Sequence, residues 1–364
     1  MINRPIVFVI GSLESGGAER FLFWLVERLV QQWNRDVYVF SIRGGLLHQR
    51  FISTGAKICV SNTSGHSKLL AVVRLGISLG QHLDNYSASI VCSFLPASNL
   101  LTEIVRLCGK NKSFKHFIFR RSRNYWRSRK WQVLEKFIFD LKHCEFVGNS
   151  DTVVSDIESD HRGHNIMISK LINPVPNFYF EEGVQINRKN WIVCVANLIW
   201  YKNHIGLVEV FSKALELGLS SDYRLILIGE DRGEGENIKH VANCLNVRDK
   251  VIFTGHCEDV VGYLARAKFF MLLSHEEGSS NALGQAIASG CLPLVSDVGS
   301  SREIVINGKT GVVSNSKETL ASKLVDLSVN PTVRDQMITR GRFRLRSQYS
   351  ESACLTRFLR LMEV

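Results

Sequence analysis

The sequence predicts an α/β chain built from two doubly wound domains. Three observations carry this. Short β-branched apolar runs recur along the 364 residues, longer helical patterns separate them, and the whole series restarts after a proline-containing segment near the middle. Continuous apolar strands alternating with helices imply parallel sheets covered on both faces. In such sheets ligands bind beyond the carboxyl ends of the strands.

The first series of strands is expected at 6–10, 37–42, 90–94, 116–119 and 146–148, with a helix at 21–32 after the first strand. The break falls at Asn173-Pro174-Val175-Pro176 and the polar stretch to about residue 190, where proline and polar residues mark a linker. The second series is expected at 192–196, 224–229, 251–255, 269–273 and 292–296, with helices at 207–217 and 282–289. The boundaries predicted are an N-terminal domain at 1–173 and a C-terminal domain at 174–349.

A hydrophobic fraction of 45% with 22% charged residues is ordinary for a folded chain and speaks against disorder. No apolar run approaches the ~20 residues of a membrane helix. The opening Pro5–Ile10 run meets Gly11-Ser12-Leu13-Glu14, which suits a buried first strand and not a secretory signal, so a cytoplasmic protein is expected. Nine cysteines without a Cys-x-x-Cys pair read as free thiols in a reducing compartment. No His/Cys cluster suggests zinc, and no Asp-x-Asp is present.

The net charge of +11 is uneven: residues 1–180 hold 23 Lys and Arg against 13 Asp and Glu. The densest stretch carries Lys110, Lys112, Lys115, Arg120, Arg121, Arg123, Arg127, Arg129 and Lys130, interleaved with Tyr125, Trp126 and Trp131. Such a stretch can meet nucleic acid, anionic lipid headgroups or a lipid-diphosphate acceptor, or can be a solvated basic helix.

Three segments carry the chemistry. Gly11 to Arg20 follows the first strand and opens a helix; Gly16 and Gly17 let backbone approach a ligand, and the free N–H groups of a helix start favour an anion. Its spacing is not the dinucleotide Gly-x-Gly-x-x-Gly pattern. Asn197 to His204 follows the first strand of the second domain, where Lys202 can reach a phosphate above the strand ends. Ser274 to Gly290 follows an apolar strand. Glu277 falls in its loop, and Asn281 and Gln285, four apart, share one helix face.

With these residues in place the chain resembles the retaining glycosyltransferases of family 4. The resemblance rests on Gly16-Gly17-Ala18-Glu19-Arg20, Lys202-Asn203-His204, Ile252-Phe253-Thr254-Gly255, Ser274…Glu277-Gly278…Asn281 and Val298-Gly299…Glu303…Gly308…Gly311, in the family's order over nearly the whole chain. It implies the GT-B architecture, two Rossmann-like domains facing a central cleft and closing on the donor. The C-terminal helix, about 350–364, is expected to pack back on the N-terminal, acceptor-binding domain. The C-terminal domain would bind the nucleotide sugar. By the same resemblance Gly16 and Gly17 lie beside the donor phosphate and acceptor, Lys202 binds the diphosphate, Glu277 contacts the transferred sugar, and backbone near Gly255 lies along the nucleobase. Gly278, Ser279, Asn281 and Ala282 then surround sugar and phosphate. A UDP-sugar is favoured over a GDP-sugar, with a glycan or polyprenyl-diphosphate-linked acceptor and no metal. With the basic stretch, it also implies surface polysaccharide assembly at the inner face of a membrane, in peripheral contact with anionic lipid.

Three departures from the family's pattern stand out. Gln285 replaces a ribose-binding glutamate, Asn197 replaces an arginine that joins the lysine on the diphosphate, and Arg120-Arg121-Ser122-Arg123-Asn124 replaces a cleft histidine. Arg121 and Arg123 become candidates for phosphate or acceptor contact. His116 falls early in its strand and reads as a core or surface residue. Rival readings are another GT-B enzyme such as a sugar-nucleotide epimerase or a phosphorylase, and a degenerate sugar-nucleotide-binding protein. Nucleic-acid binding is disfavoured, because no RNA or DNA motif is present.

Overall fold

The protein is described by a computed structural model covering residues 5–61, 68–86, 88–108, 114–122, 129–140, 144–162, 166–181 and 187–362. The chain divides into two compact units, Met1–Ile172 with Leu355–Val364, and Asn173–Cys354.

The first unit runs β1 (Ile6–Ile10), α1 (Gly17–Trp33), β2 (Val37–Ser41), α2 (His48–Ser53), β3 (Lys57–Val60), α3 (Lys68–Asn85), β4 (Ile90–Phe94), α4 (Pro96–Cys108), β5 (Lys115–Arg120), α5 (Arg129–Asp140), β6 (Glu145–Gly148), α6 (Asp151–Asp160) and β7 (Met167–Lys170). Among the described residues its sheet has the order β3-β2-β1-β4-β5-β6-β7, with every pairing parallel. The order reverses between β1 and β4, which makes a switch point above their carboxyl ends. All five residues of β1 are buried, as the apolar run requires of a central parallel strand. The edge strands β3 and β7 are half exposed, and so lacked the continuous apolar signature that marked the others.

An aromatic layer fills this unit. Phe94 and Phe119 stack with centroids 4.4 Å apart, and Phe8 and Phe21 lie against Phe94. The last residues of the chain complete it. Phe358 is fully buried, 6.3 Å from the Phe8 ring and 6.5 Å from that of Phe119, and Met362 Sδ lies 3.8 Å from Cys92 Sγ.

A charged network is sealed inside the same unit. His116 Nδ1 is 2.7 Å from Glu103 Oε2, its Nε2 is 2.8 Å from Ser93 Oγ, and Arg106 Nη2 donates to Glu103 at 2.6 Å. Burial lowers the His116 pKa and favours the neutral ring. Burial alone would raise that of Glu103, but hydrogen bonds from His116 and Arg106 outweigh it and hold the carboxyl below its usual range. The Arg106–Glu103 pair is therefore compensated, which a buried ion pair requires.

The second unit runs α7 (Phe178–Glu181), β8 (Lys189–Val195), α8 (His204–Glu216), β9 (Arg224–Ile228), α9 (Gly235–Cys244), β10 (Val251–Gly255), α10 (Val260–Arg266), β11 (Ala267–Leu272), α11 (Asn281–Ala288), β12 (Leu292–Val295), α12 (Ser301–Ile304), β13 (Val312–Val313), α13 (Lys317–Val329) and α14 (Pro331–Tyr349), after which α15 (Glu351–Met362) begins. Its sheet, β10-β9-β8-β11-β12-β13, is again parallel throughout, with the switch point between β8 and β11. Two expectations change here. Residues 189 and 190 already belong to β8, so the polar stretch ends earlier than its composition suggested. The proline segment is also knitted into this unit: Val175 is buried, its N–H donates to the Tyr349 carbonyl at 2.7 Å, and it bridges to Ser350.

Candidate functional site

The residues with the most chemistry converge at the carboxyl ends of β8 and β11. The chain leaves β8 through residues 196–199 into a single 3-10 turn, Trp200–Lys202, and then enters α8. Asn203 sits in the left-handed region (φ 52°), which asparagine tolerates, and serves as N-cap. Its Oδ1 accepts from Gly206 N–H at 3.1 Å, while its Nδ2 donates to the Leu273 carbonyl at 3.0 Å. One side chain thus starts a helix and fastens the β8 loop to the end of β11. The His275 N–H adds a second tie, donating to the Tyr201 carbonyl at 2.8 Å.

These ties bring Lys202 and Glu277 together. Lys202 Nζ donates to Glu277 Oε1 at 2.6 Å, and Ser274 Oγ donates to the same oxygen at 2.9 Å. The Ser274 carbonyl in turn accepts from Ser296 Oγ at 2.8 Å. Both members of the ion pair keep some solvent access, with side-chain exposures of 20% for Lys202 and 11% for Glu277. Gly299 presses on the Glu277 backbone: a Cβ there would lie 2.4 Å from the Glu277 carbonyl oxygen.

Beyond Glu277, Gly278 and Ser279 are half-buried in the loop that enters α11. Ser280 is the N-cap, its Oγ accepting from Leu283 N–H at 3.3 Å, and its own N–H donates to Ser300 Oγ at 3.4 Å. Asn281 is exposed, with its Oδ1 accepting from Asn173 Nδ2 at 2.6 Å. Ala282 and Gln285 are half-buried. Gly255 closes β10 at φ +67° with open space where a side chain would be, and its carbonyl accepts from Gly229 N–H at 3.0 Å.

Asn197 has a local task. Its Oδ1 accepts from the Glu230 N–H at 3.1 Å and braces the β8 loop against the β9 loop. The same brace continues in backbone bonds from Leu198 N–H to the Glu230 carbonyl and from Arg232 N–H to the Leu198 carbonyl. Beneath the Lys202 turn, His204 is 2% exposed, and burial drives its pKa down to about 4, so a neutral imidazole packs there.

The first unit holds the other residues singled out from sequence. Gly16 is the N-cap of α1 and Gly17 its first residue. The Glu19 carboxylate folds back toward this turn and accepts from Ser12 Oγ at 3.1 Å. Arg121 donates to the Leu171 carbonyl at 2.9 Å and lies over the Phe21 ring at 3.8 Å, so its guanidinium already holds β5 to the end of the unit. Arg123 lies outside the described residues. Among the described residues no group of three or more His, Cys, Asp or Glu side chains is placed to hold a metal ion. No described helix is long and apolar enough to cross a membrane.

A lysine and a carboxylate at a sheet switch point, beside a serine-capped helix start, can hold a phosphate and sugar hydroxyls together. Residues 177–344 match the model of the family described as glycosyl transferases group 1. Among curated proteins it is 28% identical over 110 residues to N-acetylgalactosamine-N,N'-diacetylbacillosaminyl-diphospho-undecaprenol 4-alpha-N-acetylgalactosaminyltransferase of Campylobacter jejuni, a match covering 30% of this chain and 28% of that one. It is 21% identical over 297 residues to a second C. jejuni enzyme, GalNAc-alpha-(1->4)-GalNAc-alpha-(1->3)-diNAcBac-PP-undecaprenol alpha-1,4-N-acetyl-D-galactosaminyltransferase, covering 78% of this chain and 76% of that one. The fold is that of the GT-B glycosyltransferases. The Anabaena protein Alr3699/HepE, solved in complex with UDP, superposes with a TM-score of 0.85 at 12% identity over 99% of each chain.

Proposed function

We propose that the protein is a retaining, metal-independent glycosyltransferase of family 4. It moves a sugar from a nucleoside-diphosphate sugar, with UDP the favoured nucleotide, to a glycan carried on a polyprenyl diphosphate. The observation that carries this reading is the Lys202–Glu277 pair at the β8/β11 switch point. In the reaction the bond from the anomeric carbon to the diphosphate breaks and a bond to the acceptor oxygen forms on the same face. The acceptor proton passes to the departing diphosphate. Such a reaction needs positioning and charge stabilisation more than a nucleophile. Lys202 meets the charge that grows on the diphosphate, Glu277 and the Ser279–Ala282 segment hold sugar hydroxyls and phosphate, backbone near Gly255 lies along the base, and Gln285 hydrogen-bonds ribose. Asn197 supports the site by fixing the loop that carries Lys202. The second unit is thus the donor domain, and the first, with Gly16 and Gly17, the acceptor domain.

The place of action is the inner face of the cytoplasmic membrane, in surface polysaccharide or lipopolysaccharide assembly. The net positive charge of residues 1–180 supports this, as do the exposed apolar side chains of Ile77 on α3 and Phe137 on α5, which can enter a headgroup layer. Calorimetric titration with UDP, GDP, ADP and CMP tests the donor reading. One nucleoside diphosphate should bind, and Lys202→Ala should weaken it by roughly 10- to 100-fold, the worth of a charge-assisted contact. No binding of any of the four by folded protein would overturn it. Failure to bind anionic liposomes at low salt would remove the membrane assignment alone.

A further inference from the structure

Trp200 stands at the surface. It is 61% exposed on the turn that precedes Lys202, yet tryptophan contributes to stability chiefly through burial. It is also held firmly. Its carbonyl accepts from Asn203 N–H at 3.0 Å, Tyr201 meets its ring edge-on at 5.8 Å, and the His275 ring lies nearly parallel to it, 29° and 6.4 Å between centroids. Two loops thus present a pair of flat rings to solvent.

These rings border a cavity of about 390 Å³, whose other lining includes Ile205, Glu209, Glu234 and Lys317. Glu209 and Lys317 form an ion pair. Glu234 is half-buried, and its carboxylate has no hydrogen-bond or ion-pair partner among the described residues. The cavity therefore offers an apolar platform, a free acceptor, and a donor–acceptor pair that can share its bonds with a guest.

We propose that this is a carbohydrate subsite that takes a neutral pyranose unit of a glycan chain, apart from the donor position. A pyranose has a flat face of C–H groups that suits an indole and a rim of hydroxyls that suits carboxylates and an ammonium. A phosphate-bearing ligand is the poorer fit, since two carboxylates face the cavity against one lysine. Trp200 lies two residues before Lys202 and His275 two before Glu277, so the platform is carried on the same loops as the ion pair. Its guest is a sugar of the acceptor chain remote from the reacting hydroxyl, an assignment that rests on the glycosyltransferase reading; the subsite itself does not.

The test is saturation-transfer NMR titration with the methyl pyranosides of glucose, galactose, N-acetylglucosamine and N-acetylgalactosamine, with and without saturating UDP. At least one should bind saturably, with a millimolar Kd. Trp200→Ala should weaken it tenfold or more, Trp200→Tyr should retain most of it, and Glu234→Gln should weaken it several-fold. Lys202→Ala and UDP should leave it unchanged. Absence of saturable binding, binding that survives Trp200→Ala, or displacement by UDP would each overturn the subsite. Calorimetric binding of UDP to Trp200→Ala, expected at the wild-type level, separates loss of the subsite from failure of the donor reading.

Discussion

Gly299→Ala offers the sharpest test of how the Glu277 loop is held. The new Cβ would lie 2.4 Å from the Glu277 carbonyl oxygen and 2.8 Å from its carbonyl carbon and its Cβ. A carbon–oxygen contact needs about 3.3 Å, so roughly 0.9 Å must be found between the two segments. Glu277 cannot yield freely, because its side chain is held by Lys202 and Ser274. The substitution also places alanine at φ +53°, which costs roughly 1–2 kcal/mol. Lys202, which meets the diphosphate in the proposed reading, is tied to Glu277 and would move with it, and a lost charge-assisted contact is worth roughly 10- to 100-fold in affinity. The expected result is a nucleotide Kd raised 10- to 100-fold by calorimetry, with a lowered but cooperative melting transition. Gly308→Ala is the control. Its φ of +72° imposes a similar backbone strain, but nothing lies within 4 Å of its Cβ. It should lose comparable stability and keep wild-type affinity. Wild-type affinity in folded Gly299→Ala would refute the reasoning.

Other outcomes follow from the same geometry. Gln285→Glu should tighten nucleotide binding by several-fold, read by the same titration, if the half-buried amide stands in for a ribose-binding carboxylate; unchanged or weaker binding would place ribose elsewhere. The His204 pKa, lowered from 6.5 to about 4 by burial, makes stability pH-dependent. The folded state holds the ring neutral and the unfolded chain protonates it below about 6.5. Its contribution is therefore full above that pH and is lost as pH falls toward 4, at a ceiling of roughly 3 kcal/mol. Urea denaturation should show this slope between pH 6.5 and 4 flattened in His204→Gln; an unchanged slope would contradict it. Phe358→Ala removes a fully buried ring from the aromatic layer and should destabilise the first unit by roughly 3–5 kcal/mol. Hydrogen exchange should then rise in β1, β4 and β5 and stay unchanged in the second unit's sheet.

The central strands and the loops after β8 and β11 were legible because their signals are local. A buried parallel strand is an apolar run, and Ser274 to Asn281 is a strand–loop–helix junction with a cap. The edge strands β3, β7 and β13 were not, since half-exposed or two-residue strands carry no run. The Ser93–His116–Glu103–Arg106 network was illegible for a different reason: its members come from three elements and become partners only when β4, β5 and α4 pack. Asn197 shows a third limit. Its position matched a ligand-binding motif, while its side chain is engaged by Glu230 N–H, a contact between loops that spacing does not encode. Asn203, by contrast, had a readable signal in an asparagine just before a helix, although its second bond to Leu273 could not be foreseen.

The position of Phe358 bears on the order in which the chain can mature. The first unit spans Met1–Ile172, but the ring that closes its aromatic layer arrives only with Leu355–Val364. At about 5–20 residues per second, roughly 10–40 s of synthesis separate the two pieces. During that interval the second unit emerges and can fold, while the first waits with Phe8 and Phe119 uncovered. The order of completion is thus the reverse of the order of synthesis.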